Sequence, residues 1–164
     1  MKLRVIIATA LALIASPAVA QNTNIAFGGL KHDSSLPVEV ASDTLEVSQT
    51  DGSAEFRGNV LVSQGEMKLT AGTVRVIYAA EGGGRISRMN ASGGVTLVNG
   101  AEAAEAREAI YSIDDATVVM TGDVILTQGQ TALSSNKLSI DLNSGTGTME
   151  GRVRTIFQTG SGDN

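Results

Sequence analysis

The chain contains no cysteine, no tryptophan, only two prolines and a single histidine among its 164 residues. The absence of cysteine excludes disulfides, thiol catalysis and thiolate metal sites. The one histidine, His32, stands close to the N-terminus, so the sequence argues against a Ser/His/Asp triad and against a histidine metal cluster. We therefore expect a protein without catalytic residues, metal ligands or cofactors.

Aromatic residues make up only 3% of the chain, whereas the broader hydrophobic set makes up 42%. An apolar interior must then be built from Val, Leu, Ile, Met and Ala, which predicts smooth aliphatic walls. Helix-forming residues are concentrated only in 101–109. That segment is short and coincides with a strand in the other copies of a repeat, described below, so we interpret it as strand or loop.

The N-terminus has the pattern of a secretory leader. Lys2 and Arg4 precede an apolar run over 5–14, and an Ala-x-Ala cleavage site ends at Ala20. The apolar run is shorter than the roughly 20 residues that a membrane span needs, which favours cleavage over an uncleaved membrane anchor. We expect residues 1–20 to be a cleaved signal peptide and the mature chain to be soluble and exported.

Removal of the leader takes away Lys2 and Arg4 and leaves 10 basic and 17 acidic residues, a net charge of −7. Nucleic-acid-binding domains usually carry the opposite sign, so we expect no nucleic-acid partner. The remaining length suits one domain with its own core. We predict a flexible lead-in at 21–36, a β domain at 37–158 and a short tail at 159–164.

A glycine phrase repeats along the mature chain. Gly-x-Val-x-Val/Leu-x-Gln/Asn-Gly begins at Gly58, Gly93 and Gly122, and a truncated copy begins at Gly151. The first glycines are 35, 29 and 29 residues apart, and an insertion at 79–85 accounts for the longer interval. A period of about 30 residues indicates one supersecondary unit stacked on copies of itself. The function should then lie in an extended surface or groove.

Apolar residues alternate on both sides of each repeat glycine, which is typical of half-buried strands. A second strand follows each phrase after a short polar stretch. Residues of one parity should face one side of a sheet. The inward set comprises Phe56, Val60, Val62, Val74, Val76, Val95, Leu97, Met120, Val124, Leu126, Leu138 and Ile140. Leu45 is expected to face inward as well, and in the middle copy Ile110 is expected to do so in place of Ala109 or Tyr111.

Segments 37–47, 54–65 and 69–76 together resemble the LptA/OstA family of periplasmic lipopolysaccharide-transport proteins. The likeness depends on Gly-Asn-Val…Gln-Gly at 58–65, which recurs with a strand of the form Ala/Ser-x-x-Leu/Val-x-Val/Ile after it. It extends from about Pro37 to Phe157. The resemblance implies two antiparallel sheets that lean together as a V-shaped, half-open jelly roll, the OstA-like β-taco.

The resemblance also implies a function. Members of the family hold lipid A acyl chains between the sheets, join head to tail, and bridge an inner-membrane anchored partner of similar fold to an outer-membrane translocon. The chain would then be a periplasmic lipopolysaccharide carrier and not an enzyme, with the inward set as its lipid-binding groove. The terminal strands near 38–47 and 152–157 would dock neighbouring modules by strand addition.

Three other interpretations stay open. The inward set is on general grounds a packed core, and a secreted β-solenoid scaffold with a closed interior would show the same repeat. The chain could also be the membrane-anchored partner of the same transport pathway. Arg57, Lys68, Arg75, Lys137 and Arg152 could contact lipid A phosphates, although solvated surface cations are the favoured interpretation.

Overall fold

The computed structural model of the protein describes residues 23–26, 31–81 and 83–157. The predicted leader at 1–20 and tail at 159–164 lie outside these residues. The described secondary structure is entirely β-strand. The strands are β1 (Thr23–Ala26), β2 (Glu39–Ala41), β3 (Thr44–Val47), β4 (Ala54–Gln64), β5 (Met67–Tyr78), β6 (Ile86–Asn99), β7 (Glu102–Ser112), β8 (Thr117–Gln128), β9 (Thr131–Asp141), β10 (Thr146–Glu150) and β11 (Arg154–Phe157).

The strands form one antiparallel sheet in the order β1-β10-β9-β8-β7-β6-β5-β4-β2, with β3 also on β4 and β11 also on β9. The long strands β4 to β9 follow one another as a meander, and each is joined to the next by a turn or a short loop. The predicted all-β class is therefore confirmed. Segment 101–109 lies almost wholly in β7, and the insertion at 79–85 is the loop between β5 and β6, as the sequence predicted.

The repeat glycines bend this sheet. Gly58 and the residue after it, Asn59, both have positive φ angles, +78° and +46°, and the same holds for the residue pairs at 93–94, 122–123 and 151–152. The strand pairing shifts register at each of the first three pairs, as it does at a β-bulge. Between β10 and β11 the fourth pair interrupts the strand altogether. These irregularities line up from strand to strand and form a seam across the sheet.

The seam divides the sheet into two half-sheets. The first half-sheet contains 44–47, 54–57, 73–78, 86–92, 108–112, 117–121, 137–141, 146–150 and β1. The second half-sheet contains 39–41, 60–64, 67–71, 95–99, 102–106, 124–128, 131–135 and β11. One hydrophobic cluster takes residues from both halves, so their inward faces pack against each other. This is the V-shaped, half-open jelly roll that the resemblance implied.

One expectation about side-chain direction was wrong. In β7 the buried residues are Ala109 and Tyr111, whereas Ile110 is exposed. The register shift between Glu105 and Glu108 resets the parity of the strand, and Ala109 then lies between Ala91 and Met120.

Leu45 was expected to face inward, and it is 55% exposed. It pairs with Phe56, so it does lie on the inward face of the sheet. However, β3 is the outermost strand of the first half-sheet, and no described element covers it there.

The N-terminal segment contains a strand that the sequence did not reveal. β1 lies within 21–36 and pairs with β10, at the opposite end of the sheet from β2. The chain therefore passes from one edge of the first half-sheet to the opposite edge of the second.

No helix among the described residues is long and apolar enough to cross a membrane.

Candidate functional site

The structure brings the twelve predicted groove residues together between the half-sheets. Eleven of them are buried, and the twelfth, Phe56, is partly buried and packs against the same cluster. Both half-sheets contribute, since Val74 and Val76 of β5 lie in the first half-sheet and Val60 and Val62 of β4 lie in the second. The set therefore forms a continuous aliphatic lining on the two inner walls of the V.

These walls are in contact in the structure. The space enclosed between the half-sheets beneath Val62, Leu97 and Tyr111 is about 10 Å³, which is roughly the volume that one water molecule requires. A lipid chain between the walls therefore requires the half-sheets to move apart.

The open side of the V lies where the strands end in turns. There the phenolic oxygen of Tyr111, in the first half-sheet, donates a 2.8 Å hydrogen bond to Oε1 of Gln64, in the second. Both side chains are buried. Burial raises the pKa of Tyr111 to about 12, so the hydroxyl stays protonated and remains a donor. The sequence analysis assigned neither residue this contact: Gln64 appeared only within the repeat phrase, and Tyr111 was expected to face outward.

A segment preceding β2 lies across this open side, and we name residues 31–38 the strap. Nε2 of Gln64 donates to the carbonyl oxygens of Ser34 and Leu36, at 2.9 Å and 2.7 Å. The backbone nitrogen of His32 donates to the carbonyl oxygen of Leu142, in the turn between β9 and β10. The strap therefore bonds to the rims of both half-sheets.

A surface depression of about 590 Å³ lies beside the strap. Its apolar lining comes from Leu36, Val38, Ile86 and Ile113, and its polar lining includes Arg85 with its ion-pair partner Asp114. The inserted loop between β5 and β6 thus forms one wall of this depression.

At the β3 edge the inward face of the sheet is open. Leu45 and Val47 are 55% and 65% exposed, and they continue the apolar row of Phe56 and Ala54 on the next strand. An uncovered apolar sheet edge is the kind of surface that other strands add to.

Most of the cations considered for phosphate binding are engaged on the outer surface. Arg57 forms ion pairs with Glu46 and Glu55, at 3.1 Å and 2.6 Å. Arg75 pairs with Asp51, and Lys137 with Glu150. These pairs agree with the interpretation of solvated surface cations. Within the described ranges, no group of three or more His, Asp or Glu residues is arranged to hold a metal ion.

Comparisons with known proteins agree with this architecture. A crystal structure of LptH from Pseudomonas aeruginosa, described as the LptA-homologous periplasmic component of the lipopolysaccharide transport device, superposes with a TM-score of 0.68. The match covers 77% of this chain and 98% of that one at 20% identity, which establishes a shared fold.

Two sequence comparisons add to this. An uncharacterized protein of Rhizobium meliloti (strain 1021) is 34% identical over 152 residues, which are 87% of this chain and 82% of that protein. Residues 39–146 match the family model described as LptA/(LptD N-terminal domain) LPS transport protein. That span contains the first three glycine pairs of the seam and most of both inner walls, and the chain therefore belongs to the LptA/LptD N-terminal-domain family of lipopolysaccharide-transport proteins.

Proposed function

We propose that the protein is a periplasmic, non-enzymatic lipopolysaccharide carrier that holds lipid A acyl chains between its two half-sheets. The observation that carries this proposal is the aliphatic interior shared by two walls whose strands are continuous with each other only across the seam. The inward face also continues, uncovered, to Leu45 and Val47 at the β3 edge. Family membership supports lipopolysaccharide as the cargo, and the aliphatic interior supports contact with its acyl chains.

The mature chain's net charge of −7 is compatible with an anionic cargo if affinity comes from the acyl chains. Each buried methylene contributes roughly 0.8 kcal/mol, while the phosphorylated headgroup stays in water. A carrier of this kind releases its cargo, so moderate affinity suits it. We therefore expect binding to depend strongly on acylation and weakly on salt.

A competition experiment tests acyl-chain recognition. Purified protein is titrated with fluorescent lipopolysaccharide, and intact or fully deacylated lipopolysaccharide is added as competitor. The proposal predicts that intact lipopolysaccharide displaces the probe and that the deacylated form does not. Equal displacement by both forms would place recognition in the headgroup and contradict the proposal.

We further propose that the protein bridges the two membranes by joining head to tail with itself, with an inner-membrane anchored partner of similar fold and with the outer-membrane translocon. The exposed β3 edge supports one of these contacts. Introducing a charge there by Val47→Lys should raise the dissociation constant for self-association, measured by sedimentation, because charged edges oppose strand addition. Ile110→Lys, on the exposed outer face of β7, is the control and should have no effect.

One observation favours a second candidate, a secreted scaffold with a permanently closed interior. The space between the walls beneath Val62, Leu97 and Tyr111 is only about 10 Å³ in this conformation. A scaffold would not bind lipopolysaccharide in the competition experiment, so the same measurement separates the two functions.

A further inference from the structure

The strap has the contacts of a removable closure. It joins the β9–β10 turn of the first half-sheet, through Leu142, to the β4–β5 turn of the second, through Gln64. Together with the bond between Tyr111 and Gln64, these bonds tie the open side of the V from rim to rim at this corner. Parting of the half-sheets at this corner therefore requires these bonds to break.

The strap is less deeply buried than the residues beneath it. None of residues 31–38 is fully buried, whereas Gln64, Tyr111 and Leu142 below them are. Regions with little buried apolar surface are the first to open in a native protein. Nε2 of His32 is buried without a hydrogen-bond partner among the described residues. Such an unpaired group destabilises the closed arrangement, and it regains hydrogen bonds to water when the strap opens.

The strap also carries a turn of its own. Oδ1 of Asp33 accepts hydrogen bonds from the backbone nitrogen and the hydroxyl of Ser35, at 3.0 Å and 2.6 Å. The backbone nitrogen of Leu36 donates to the carbonyl oxygen of Asp33. Because these bonds lie within the strap, they survive its release, and the segment can leave as a preformed unit.

Leu36 is the apolar contact of the strap with the opposite rim. A Cβ built on Gly65 would lie 2.8 Å from Cδ1 of Leu36, so this side chain rests directly on the turn between β4 and β5. At the same time Leu36 is 41% exposed, which leaves its contact easy to weaken by substitution.

We propose that the strap is an autoinhibitory closure whose release from Gln64 and Leu142 admits an acyl chain to the cleft. The proposal rests on the lipopolysaccharide-carrier function proposed above. In the resting protein the strap holds the two rims together over the packed interior. When acyl chains enter between the walls, the strap bonds break and the segment remains displaced for as long as the lipid is bound.

Hydrogen exchange of the full mature chain tests this directly, with and without saturating lipopolysaccharide. The amide of His32 reports on the contact between the strap and the rim, because it donates to Leu142, and the amides of β8 report on the wall. The proposal predicts that lipid binding removes protection from the His32 amide, while the Leu36 amide, which is bonded to Asp33 within the strap, and the β8 amides stay protected. A His32 amide that keeps its protection in the lipid-bound protein would overturn the closure and leave the carrier function intact.

A matched pair of variants adds a kinetic test. Leu36→Asp weakens the strap contact, whereas Leu61→Asp places the same change at a leucine of similar exposure on the outer face of β4. We expect Leu36→Asp to raise the association rate for lipopolysaccharide about fivefold, because part of an apolar contact is lost. Leu61→Asp should leave that rate unchanged.

Two outcomes of the kinetic test would count against the closure. Equal rates for both variants and the parent protein would show that the strap does not limit entry. Absence of binding in all three proteins would instead refute the carrier function, and the closure with it.

Discussion

The hydroxyl of Tyr111 on β7 donates a hydrogen bond of 2.8 Å to the side-chain oxygen of Gln64 on β4. Two strands lie between β7 and β4 in the sheet order, so these strands would be about 14 Å apart in a flat sheet. The bond therefore exists only because the sheet folds at its seam and brings the two half-sheets face to face. It marks the point at which the closed state of the protein is held.

Removing the Tyr111 hydroxyl should destabilise the fold. Tyr111→Phe leaves Oε1 of Gln64 buried without its donor, which costs about 1–3 kcal/mol in the free energy of unfolding. Urea unfolding measures the change. Tyr78→Phe, at the more exposed of the two tyrosines, should stay within about 0.5 kcal/mol of the parent.

A double-mutant cycle with Gln64→Leu isolates the pair. The double mutant should lose less unfolding free energy than the sum of the losses in the two single mutants. In the double mutant neither residue is left with an unpaired group. Strictly additive effects would mean that the bond between Tyr111 and Gln64 does not couple the half-sheets.

The seam predicts a difference between two adjacent glycines. Gly93 and Gly94 both have φ angles of +82°, so alanine at either position is strained by about 1–2 kcal/mol. A Cβ on Gly93 would also lie 3.2 Å from the Cα of Gly72, whereas a Cβ on Gly94 meets nothing within 4 Å. Gly93→Ala should therefore have the lower melting temperature. Equal melting temperatures would contradict the close approach of β5 and β6 at the seam.

The two faces of β8 should respond differently to truncation. Leu126→Ala removes a fully buried side chain and should cost about 2–5 kcal/mol in unfolding free energy. Ile125→Ala, one residue away and 45% exposed, should cost much less. Chemical denaturation of both variants checks the assignment, and a reversed order of cost would mean that the register of β8 is wrong.

Lowering the pH should destabilise the turn after β9. The backbone nitrogens of Ser144 and Asn143 donate to Asp141 and lower its pKa below the ordinary value. A depressed folded-state pKa contributes stability that is present above the unfolded value and is lost as pH falls through the folded value. Asp141→Ala should therefore be less stable than the parent at neutral pH, and the gap in unfolding free energy should shrink in acid. A gap independent of pH would show that the charge of Asp141 does not contribute.

The repeat predicted which residues line the inner walls, because side chains alternate between the two faces of a strand with a fixed period of two. Once Gly58, Gly93 and Gly122 are aligned, the parity of the flanking residues follows, and Val60, Val95 and Val124 are indeed buried. The parity argument failed in β7, where the register shift at the seam changes which alternate residues face inward, and the spacing of apolar side chains does not reveal that change. It also could not show that Leu45 is exposed, since burial depends on whether another strand covers the face.

The closure of the open side was beyond prediction for a different reason. Gln64 and Tyr111 are 47 residues apart, and Ser34 and Leu36 bond through their backbone carbonyls, which carry no sequence signal. Polar side chains at strand ends are ordinary turn residues in any β protein. Their role depends on the bend at the seam, which is a property of the whole sheet.

Photo-crosslinking in cells tests the acyl-chain cleft most directly. A crosslinking amino acid is placed at Leu126, on the inner wall, or at Ile125, on the outer face of the same strand. The cleft proposal predicts lipopolysaccharide adducts at position 126 and none at 125, with both variants folded and exported. Adducts at neither position, or equally at both, would contradict the proposal that lipid lies between the half-sheets.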